Sequence, residues 1–341
     1  MSEQQITLTT RDGHTVAFSC LDQCDVISAA EQSAILLPSL CREGGCGICL
    51  GLCTEGEYSL GSYNETLLTD EAIARREVLL CRTYPKTDLK ISTTYDYNQI
   101  NFGKPPARRA IITALIPIAE RTVQLILHWQ NKEQDKAVEF ESGQCMELEI
   151  PNTSIRRAYS LANTGNWRGE LEFLIRLQPE GQFSGYLRDQ AAIGQELIVY
   201  GPSGHFGLHA ERFNPAIFIA GGTGLAPFLS ILRRLADWGE QREIHLLFGV
   251  NTESELFYLD ELQRLQPLIP GFTFSLCVWK PTDNWSGFCG TPADALEDYL
   301  SNHQNNYDIY LCGPPRLVNA ASEIAFQHGI PAEQIFSEKF G

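Results

Sequence analysis

Four cysteines lie within thirteen consecutive residues, "CREGGCGICLGLC", which run from Cys41 to Cys53. Thiols this close together typically form disulfides, bind structural zinc or hold an iron–sulfur cluster. The chain has eleven cysteines, an odd number, and its first residues lack the basic and apolar segments of a secretory signal. We therefore expect a cytoplasmic protein. Because cytosolic thiols stay reduced, a metal site or a cluster is favoured over disulfides.

The spacing of the cysteines distinguishes the two remaining kinds of site. Four residues separate Cys41 from Cys46, two separate Cys46 from Cys49, and Cys81 follows after 31 further residues. This is the spacing of plant-type 2Fe–2S ferredoxins, whereas zinc sites usually contain two C-x2-C pairs. We therefore predict a 2Fe–2S cluster with these four cysteines as ligands, and structural zinc is the alternative. Cys53 is then a packed thiol.

A second group of candidate residues lies in "RRAYSLAN", which contains Arg157, Tyr159 and Ser160. An aromatic ring can lie flat on an isoalloxazine, and a neighbouring hydroxyl can reach its polar edge. An arginine can neutralise a pyrophosphate through two parallel hydrogen bonds. Taken alone, the R-x-Y-S pattern also suits an ordinary strand with a surface arginine. Its place between a cluster segment and a nucleotide segment favours binding of FAD.

The following stretch, "FLIRLQPEGQFSGYL", adds Arg176, Gly181 and Ser184 to the candidate FAD site. The glycine and the serine stand just before a predicted helix. The first N–H groups of a helix are unpaired and attract phosphate. We therefore predict that these residues contribute to FAD binding.

A glycine-rich turn in "FIAGGTGLAPFLS" is the candidate nicotinamide dinucleotide site. Gly221, Gly222, Thr223 and Gly224 lie between a buried apolar run and a helical pattern. Glycines there permit a tight turn and close approach of phosphates to the helix N-terminus. Pro227 takes the place of the third glycine, so the usual G-x-G-x-x-G fingerprint is not met.

Two further segments support a nucleotide site in this part of the chain. "YLCGPP" places Cys312, Gly313 and Pro314 at the end of the fourth predicted strand, and ligands of open parallel sheets bind at such ends. Glu253 and Glu255 follow the second predicted strand. Carboxylates accept hydrogen bonds from a ribose 2′-OH and repel a 2′-phosphate, so we expect NADH to be preferred over NADPH. Solvated surface glutamates are the alternative.

The elements that position these residues change in character along the chain. Residues 1–98 begin with alternating apolar residues that predict a β-hairpin, and residues 99–107 are rich in Pro, Gly and polar groups, as in a linker. Residues 108–209 contain short strands separated by turns, which predicts an antiparallel barrel. Residues 210–341 alternate strands with helices, which predicts an α/β domain with a parallel sheet.

The overall composition narrows the classes of function. The 341 residues carry a net charge of −16, which argues against nucleic-acid binding. No stretch approaches 18 uncharged apolar residues, so we expect no membrane span. With 43% apolar and 20% charged residues, the chain has the composition of an ordinary globular protein.

With these motifs in place, the chain resembles the single-chain reductases that feed bacterial oxygenases, over essentially its whole length. Their order is ferredoxin domain, FAD barrel and NAD domain, and the last two domains belong to the ferredoxin-NADP reductase superfamily. Within this group the chain is more similar to the reductase components, called component C, of soluble methane monooxygenase and related di-iron monooxygenases. "CREGGC", "LLCRTYPKTDL", "FGVNTESELFY" and "DIYLCGPP" carry that likeness.

The resemblance implies a multidomain fold: an N-terminal β-grasp ferredoxin domain, an FAD barrel and an NAD domain. It implies an NADH:acceptor oxidoreductase that passes electrons from NADH through FAD and a 2Fe–2S cluster to the di-iron hydroxylase of a soluble methane or hydrocarbon monooxygenase. It leaves the hydrocarbon open, because that substrate binds the hydroxylase. Two alternatives stay open, the reductase of a Rieske-type aromatic ring-hydroxylating dioxygenase and a redox-sensing iron–sulfur module.

The resemblance also assigns roles at the end of the chain, "FSEKFG". In the reductase superfamily a C-terminal aromatic residue or its neighbourhood lies near the flavin ring. Phe340 is therefore expected to cover the isoalloxazine, while Cys312 and Glu338 help to place the nicotinamide for hydride transfer. The alternative for Phe340 is that it only packs the last strand.

Overall fold

The computed structural model describes residues 3–340 with the exception of residues 22, 40, 41, 43, 46, 66, 104–106, 130–136, 154, 205, 209–211 and 304. Its contacts divide the chain into two compact units. One consists of residues 1–106 together with residues 340–341, and the other of residues 107–339. Among the described residues, no helix is both long and apolar enough to cross a membrane.

The first unit consists of short strands, two α-helices and two 3-10 helices. In chain order these are β1 (Glu3–Thr9), β2 (Thr15–Leu21), α1 (Val26–Gln32), β3 (Ile35–Leu36), β4 (Leu50–Glu55), β5 (Tyr58–Leu60), α2 (Asp70–Ala74), β6 (Glu77–Leu79), a 3-10 helix (Leu80–Arg82), β7 (Thr83–Pro85), β8 (Leu89–Thr93), a 3-10 helix (Tyr97–Gln99) and β9 (Asn101–Phe102). The main sheet has the order β2-β1-β8-β4-β6, and helix α1 packs beside it. Strands β1 and β8 are parallel, and the other pairings are antiparallel, which is a β-grasp arrangement.

The first hairpin shows why this sheet forms. Ile6 and Leu8 of β1 lie opposite Phe18 and Val16 of β2, and all four side chains are buried. The residues between them are mostly polar and more exposed, so the alternation seen in the sequence creates one core face. Within the predicted linker, β9 pairs with β3, so part of that segment is attached to the first unit.

The second unit begins with an antiparallel barrel. Its elements are β10 (Ala107–Ala119), β11 (Thr122–Trp129), β12 (Cys145–Glu149), β13 (Arg156–Ser160), β14 (Glu170–Arg176), α3 (Gln182–Asp189) and β15 (Glu196–Ser203). The strand order is β13-β12-β15-β10-β11-β14, with antiparallel pairing throughout. A bridge between Leu161 and Phe173 joins the residue after β13 to β14, so the two edges of the sheet meet.

The rest of the second unit is a parallel sheet with helices. Its elements are β16 (Ala216–Gly221), a 3-10 helix (Gly222–Gly224), α4 (Leu225–Trp238), β17 (Ile244–Val250), a 3-10 helix (Glu253–Glu255), α5 (Leu259–Leu265), a 3-10 helix (Gln266–Leu268), β18 (Phe272–Val278), β19 (Phe288–Cys289), α6 (Pro292–Asn302), β20 (Asp308–Gly313), α7 (Pro315–Gln327), a 3-10 helix (Ala332–Gln334) and β21 (Ile335–Lys339). The strand order is β19-β18-β17-β16-β20-β21, all parallel.

The chain order reverses direction in this sheet between β16 and β20. Successive strands after β16 extend to one side, and the chain then returns to add β20 and β21 on the other side. The helices after neighbouring strands diverge at such a point and leave a crevice at the carboxyl ends of the strands. Both the glycine turn at the end of β16 and the Cys312–Pro314 segment at the end of β20 lie at this crevice.

Candidate functional site

The predicted cluster ligands Cys49 and Cys81 lie side by side in the first unit. Cys49 precedes β4, Cys81 lies in the 3-10 helix after β6, and each is 2% exposed. Their sulfur atoms are 3.4 Å apart. A disulfide requires about 2.05 Å, whereas two thiolates on one tetrahedral metal lie roughly 3.8 Å apart. The pair therefore fits two ligands of a single iron. Cys41 and Cys46 lie outside the described residues.

The backbone around these cysteines requires glycine. Gly44 and Gly47 have φ angles of +73° and +78°, which favour glycine over residues with a Cβ. A Cβ at Gly44 would also lie 2.9 Å from the Cβ of Tyr63. Cys53 points elsewhere, because its thiol lies 3.3 Å from the carbonyl of Glu55 and 3.4 Å from Nη2 of Arg76.

The second unit brings together three polar side chains that are far apart in the sequence. Ser160 ends β13 of the barrel, while Cys312 and Glu338 are register partners on β20 and β21. The Ser160 hydroxyl donates to Oε2 of Glu338 at 2.9 Å, and the Cys312 thiol donates to the same oxygen at 3.8 Å. Glu338 is 3% exposed. The predicted flavin-side hydroxyl and the two predicted nicotinamide-side residues therefore form one buried cluster.

Burial sets the protonation of this cluster. It raises the pKa of Glu338 to about 7, although the hydrogen bonds from Ser160 and Cys312 oppose the shift. Burial, together with the nearby Glu338 carboxyl, raises the pKa of the Cys312 thiol well above its ordinary value. The thiol therefore stays protonated at neutral pH. The carboxyl is near the midpoint of its titration and can hold or release a proton.

Cys145 is a neighbour of this cluster that the sequence analysis did not identify. It begins β12 directly opposite Ser160, is fully buried, and its thiol lies 3.4 Å from the carbonyl of Ser203. Burial and the nearby Glu338 carboxyl raise its pKa. Nothing in the surrounding "ESGQCMEL" marks it, because its relevance arises only from strand pairing.

The glycine turn and the end of β20 are in direct contact at the crevice. A Cβ at Gly224 would lie 2.1 Å from the carbonyl oxygen of Cys312, and a Cβ at Gly221 would lie 2.6 Å from Cδ2 of Leu317. Gly313 approaches the same turn, since its Cβ would lie 3.2 Å from the Cα of Gly221. These glycines permit the approach of the two strand ends. The turn leads directly into α4, a helix of 14 residues, whose N-terminus suits a pyrophosphate.

Two other predicted residues complete this side of the crevice. Thr223 lies in the 3-10 helix between β16 and α4, and Pro314 is the N-cap of α7. Both therefore flank helix N-termini at the strand ends. That location agrees with a phosphate-binding role, which remains a prediction.

Arg176, predicted for FAD, lies at the glycine turn. Its Nη1 is 3.9 Å from the position that a Cβ at Gly222 would occupy. Its Nη2 is paired with Oε1 of Glu255 at 2.9 Å, and Arg121 lies 3.4 Å from the same oxygen. Oε1 of Glu120 lies 3.9 Å from Nε of Arg121, so the four charges of this group balance, and Arg176 is the cation that lies beside the turn.

The two glutamates predicted to contact the ribose have different surroundings. Glu255 is buried, pairs with the two arginines and accepts hydrogen bonds from the backbone and side chain of Asn251. Glu253 is partly exposed and accepts from the backbone N and the hydroxyl of Thr282 at 2.9 and 2.6 Å. These bonds lower the pKa of Glu253. Glu253 is thus an ionised carboxylate at the rim, whereas Glu255 is a buried carboxylate that pairs with two partly exposed arginines.

The remaining FAD candidates lie on two adjacent segments of the barrel. Tyr159 on β13 contacts Phe183 of α3, with ring centroids 5.3 Å apart. Gly181 is the N-cap of α3, and the hydroxyl of Ser184 accepts from the backbone N of Gln178 at 3.0 Å. The strand with the R-x-Y-S motif and the helix N-terminus are therefore neighbours, as a ring site and a phosphate site of one FAD must be.

The contacts of two predicted site residues, Arg157 and Phe340, say little about their roles. Nη1 of Arg157 donates to the carbonyl of Arg156 at 2.8 Å. Phe340 follows β21, is half-buried, and belongs to the first of the two units. Its expected place over a flavin ring stays a prediction.

Three family models match consecutive parts of the chain. Residues 9–86 match the 2Fe-2S iron-sulfur cluster binding domain, residues 118–208 the oxidoreductase FAD-binding domain, and residues 218–323 the oxidoreductase NAD-binding domain. The fold and these domains define an iron–sulfur flavoprotein reductase with FAD, a 2Fe–2S cluster and NADH as its cofactors.

Similar proteins place this reductase in a family. The anthranilate 1,2-dioxygenase electron transfer component of Acinetobacter baylyi is 35% identical, over 98% of this chain and 96% of that protein. Methane monooxygenase component C of Methylosinus trichosporium is 38% identical, over 87% of this chain and 86% of that protein. The crystal structure of the Amycolatopsis cytochrome P450 reductase GcoB, 28% identical, superposes with a TM-score of 0.75 over 98% of both chains. The chain belongs to the family of electron-transfer reductase components of oxygenases.

Proposed function

We propose that this reductase delivers electrons from NADH to the di-iron hydroxylase of a soluble methane or hydrocarbon monooxygenase. The observation that supports this partner is the 38% identity to methane monooxygenase component C. Two features of the fold support the proposal, the Cys49 and Cys81 sulfur atoms 3.4 Å apart and the close contact of the glycine turn with the end of β20.

The cofactors supply the redox chemistry, since a flavin takes up two electrons as a hydride and passes them singly to an iron–sulfur cluster. The chain's own residues orient the groups around the reaction and hold or release a proton. Glu338 holds or releases a proton near neutral pH, and Ser160 and Cys312 fix the orientation of its carboxyl. Arg176 offers positive charge beside the glycine turn.

The partly exposed carboxylate of Glu253 is the better candidate for the ribose 2′-OH. Glu255 already accepts hydrogen bonds from Arg176 and Asn251, so it has less capacity for a ligand. We therefore propose that Glu253 carries the preference for NADH. We also retain the predicted domain limits, 1–98, 108–209 and 210–341, as part of this proposal.

A second candidate partner is a Rieske-type aromatic ring-hydroxylating dioxygenase. The observation that favours it is the match to the anthranilate 1,2-dioxygenase component, which is 35% identical but covers more of this chain. Both candidates use the same reductase chemistry and differ only in the electron acceptor.

Purified components distinguish the partners. The reductase and NADH are mixed under anaerobic conditions with a di-iron hydroxylase, or with the oxygenase component of a Rieske-type dioxygenase, and acceptor reduction is followed by stopped flow. We expect fast reduction of the di-iron hydroxylase only. Preferential reduction of the Rieske protein would overturn the di-iron proposal in favour of the second candidate. Absence of NADH-driven cytochrome c reduction would indicate a redox-sensing module.

A further inference from the structure

The barrel and the parallel sheet of the second unit are joined by a cluster of polar residues, in which one buried glutamate is surrounded by half-buried side chains. We call it the Tyr258 cluster, and its members are Gln124, Glu172, Arg233, Tyr258 and Glu261. The first two belong to the barrel and the other three to the parallel-sheet domain.

Glu172 is the centre of the cluster. It is 6% exposed, and its carboxylate accepts from Nε2 of Gln124 at 2.9 Å and from the hydroxyl of Tyr258. Its other oxygen accepts from Nη1 of Arg233 at 2.6 Å. The Tyr258 oxygen itself accepts from Nε2 of Gln124 at 2.7 Å. A buried carboxylate with every partner in place is rigid, because each broken bond leaves an unpaired buried group.

The backbone of Tyr258 supports a specific role. Its φ angle is +60°, a left-handed conformation that non-glycine residues rarely adopt. Such strain persists where the surroundings over-determine it, and it concentrates at functional sites. Here the guanidinium of Arg233 lies 5.6 Å from the centre of the ring, and the hydroxyl is held by Glu172. The Tyr258 side chain is therefore held both at its ring and at its hydroxyl.

The cluster is linked to both cofactor-binding segments. Arg233 also donates to the carbonyl of Ala162 at 2.9 Å, and Ser230 donates to the carbonyl of Asn163 at 2.6 Å. Ala162 and Asn163 lie two and three residues after Ser160, in the segment that follows the R-x-Y-S motif. Arg233 and Ser230 lie on α4, the helix that begins at the glycine turn. The cluster thus attaches the flavin-side strand to the dinucleotide-side helix.

We propose that the Tyr258 cluster is a positioning element that sets the distance and angle between the flavin and the nicotinamide. It acts through the two segments that it joins and touches neither cofactor. The inference rests on hydride transfer from NADH to FAD, and it is independent of which oxygenase accepts the electrons. Because a small misplacement of reacting atoms costs up to about 100-fold in rate, loss of one hydroxyl from this cluster has a measurable consequence.

The test compares Tyr258→Phe with Tyr186→Phe in the FAD-loaded, full-length protein. Tyr186 is the matched control, because its hydroxyl bonds to Gln195 within the barrel. For Tyr258→Phe we expect flavin reduction by saturating NADH to slow roughly tenfold, with NADH affinity nearly unchanged. We also expect a weaker long-wavelength charge-transfer absorbance when NAD+ is added to the reduced protein. Tyr186→Phe should change neither quantity.

A second variant, Gln124→Met, removes the two hydrogen bonds that Nε2 donates to Glu172 and Tyr258 without adding a charge, and it serves if Tyr258→Phe does not fold. A lower melting temperature with unchanged hydride-transfer rate and unchanged charge-transfer absorbance would show a purely structural cluster and overturn the inference. If the unmodified protein shows no reduction of its flavin by NADH, the reductase function itself fails, and the inference fails with it.

Discussion

The cysteine loop, residues 41–53, and the Ser160–Cys312–Glu338 site are both predicted to place polar groups around a cofactor, but the two are built in different ways. Three of the four predicted cluster ligands lie within nine consecutive residues, from Cys41 to Cys49. Ser160 and Glu338, in contrast, are 178 residues apart and meet through strand pairing. The spacing of the loop cysteines is visible in the sequence, so the cluster ligands can be predicted from it. The second site exists only when the barrel and the parallel sheet are both folded.

The two regions also differ in how their groups are kept in place. Gly44 and Gly47 allow the loop backbone to turn, and the metal itself would complete the site. Glu338 is held by burial, by its register with Cys312 and by a hydroxyl from another sheet. A change in the loop should therefore abolish one cofactor, whereas a change in the second site should alter rates and pH dependence while the cofactors stay bound.

The largest effect is expected for the cluster. Cys81→Ser should lose most of the iron and the rhombic EPR signal of the reduced protein, because one of four ligands is missing. Cys53→Ser is the matched control and should retain both, since its thiol lies with Glu55 and Arg76. Iron analysis and EPR measure the outcome. An iron-free Cys53 variant would contradict the ligand assignment.

The next effect concerns Glu338→Gln. We expect hydride transfer from NADH to slow by about 100-fold at saturating NADH, while FAD content stays normal. Ser337→Ala, an exposed neighbour on the same strand, is the control. Stopped-flow measurement across pH should show a rate titration near pH 7 in the unmodified protein that is absent from the variant. Equal rates at all pH values would assign Glu338 to packing alone.

The same carboxyl predicts a pH dependence of stability. Its pKa is about 7 in the folded protein against an ordinary value of 4.5, so the folded state keeps a proton that the unfolded chain releases. This contribution, roughly 3 kcal/mol, is complete below the lower value and is lost as pH rises through the higher one. Urea unfolding of the unmodified protein and of Glu338→Gln should therefore diverge between these values.

A smaller effect, on the free energy of unfolding, is expected for Glu255→Gln. The variant leaves Arg176 and Arg121 beside a neutral amide, and because both arginines are partly exposed we expect a loss of about 1 kcal/mol. Denaturant unfolding measures this loss. Glu253→Gln is the matched control and should leave stability nearly unchanged. If the two variants unfold alike, the pairing of Glu255 with Arg176 and Arg121 contributes little to stability.

The smallest effect is expected for Glu253→Gln on cofactor choice. The ratio of kcat/KM for NADH to that for NADPH should fall severalfold, chiefly through the KM for NADPH, because the contact is remote from the reacting atoms. Steady-state kinetics with both cofactors measure the ratio. The idea fails if the unmodified protein uses both cofactors equally, or if Glu255→Gln narrows the ratio more than Glu253→Gln does.

Much of the fold follows from local patterns in the sequence. Alternation of apolar residues predicts the first hairpin, and strand–helix alternation predicts the parallel sheet. The places of the motifs at strand ends are predicted too, because βαβ units bring the carboxyl ends of strands to one edge. Helix α1 (Val26–Gln32) also depends on local sequence, because its N-cap Asp25 accepts from the backbone N of Ser28.

The sequence by itself therefore determined the order of domains, the cysteine spacing and the need for glycine at the turns, since each depends on residues close together in the chain. Only the tertiary structure decided that Glu255 is buried against Arg176, that Cys145 lies opposite Ser160 and that Tyr258 bonds to Glu172. Each of these contacts joins residues from different strands or domains. Burial and partner choice follow from packing of whole sheets, so local patterns contain no signal for them.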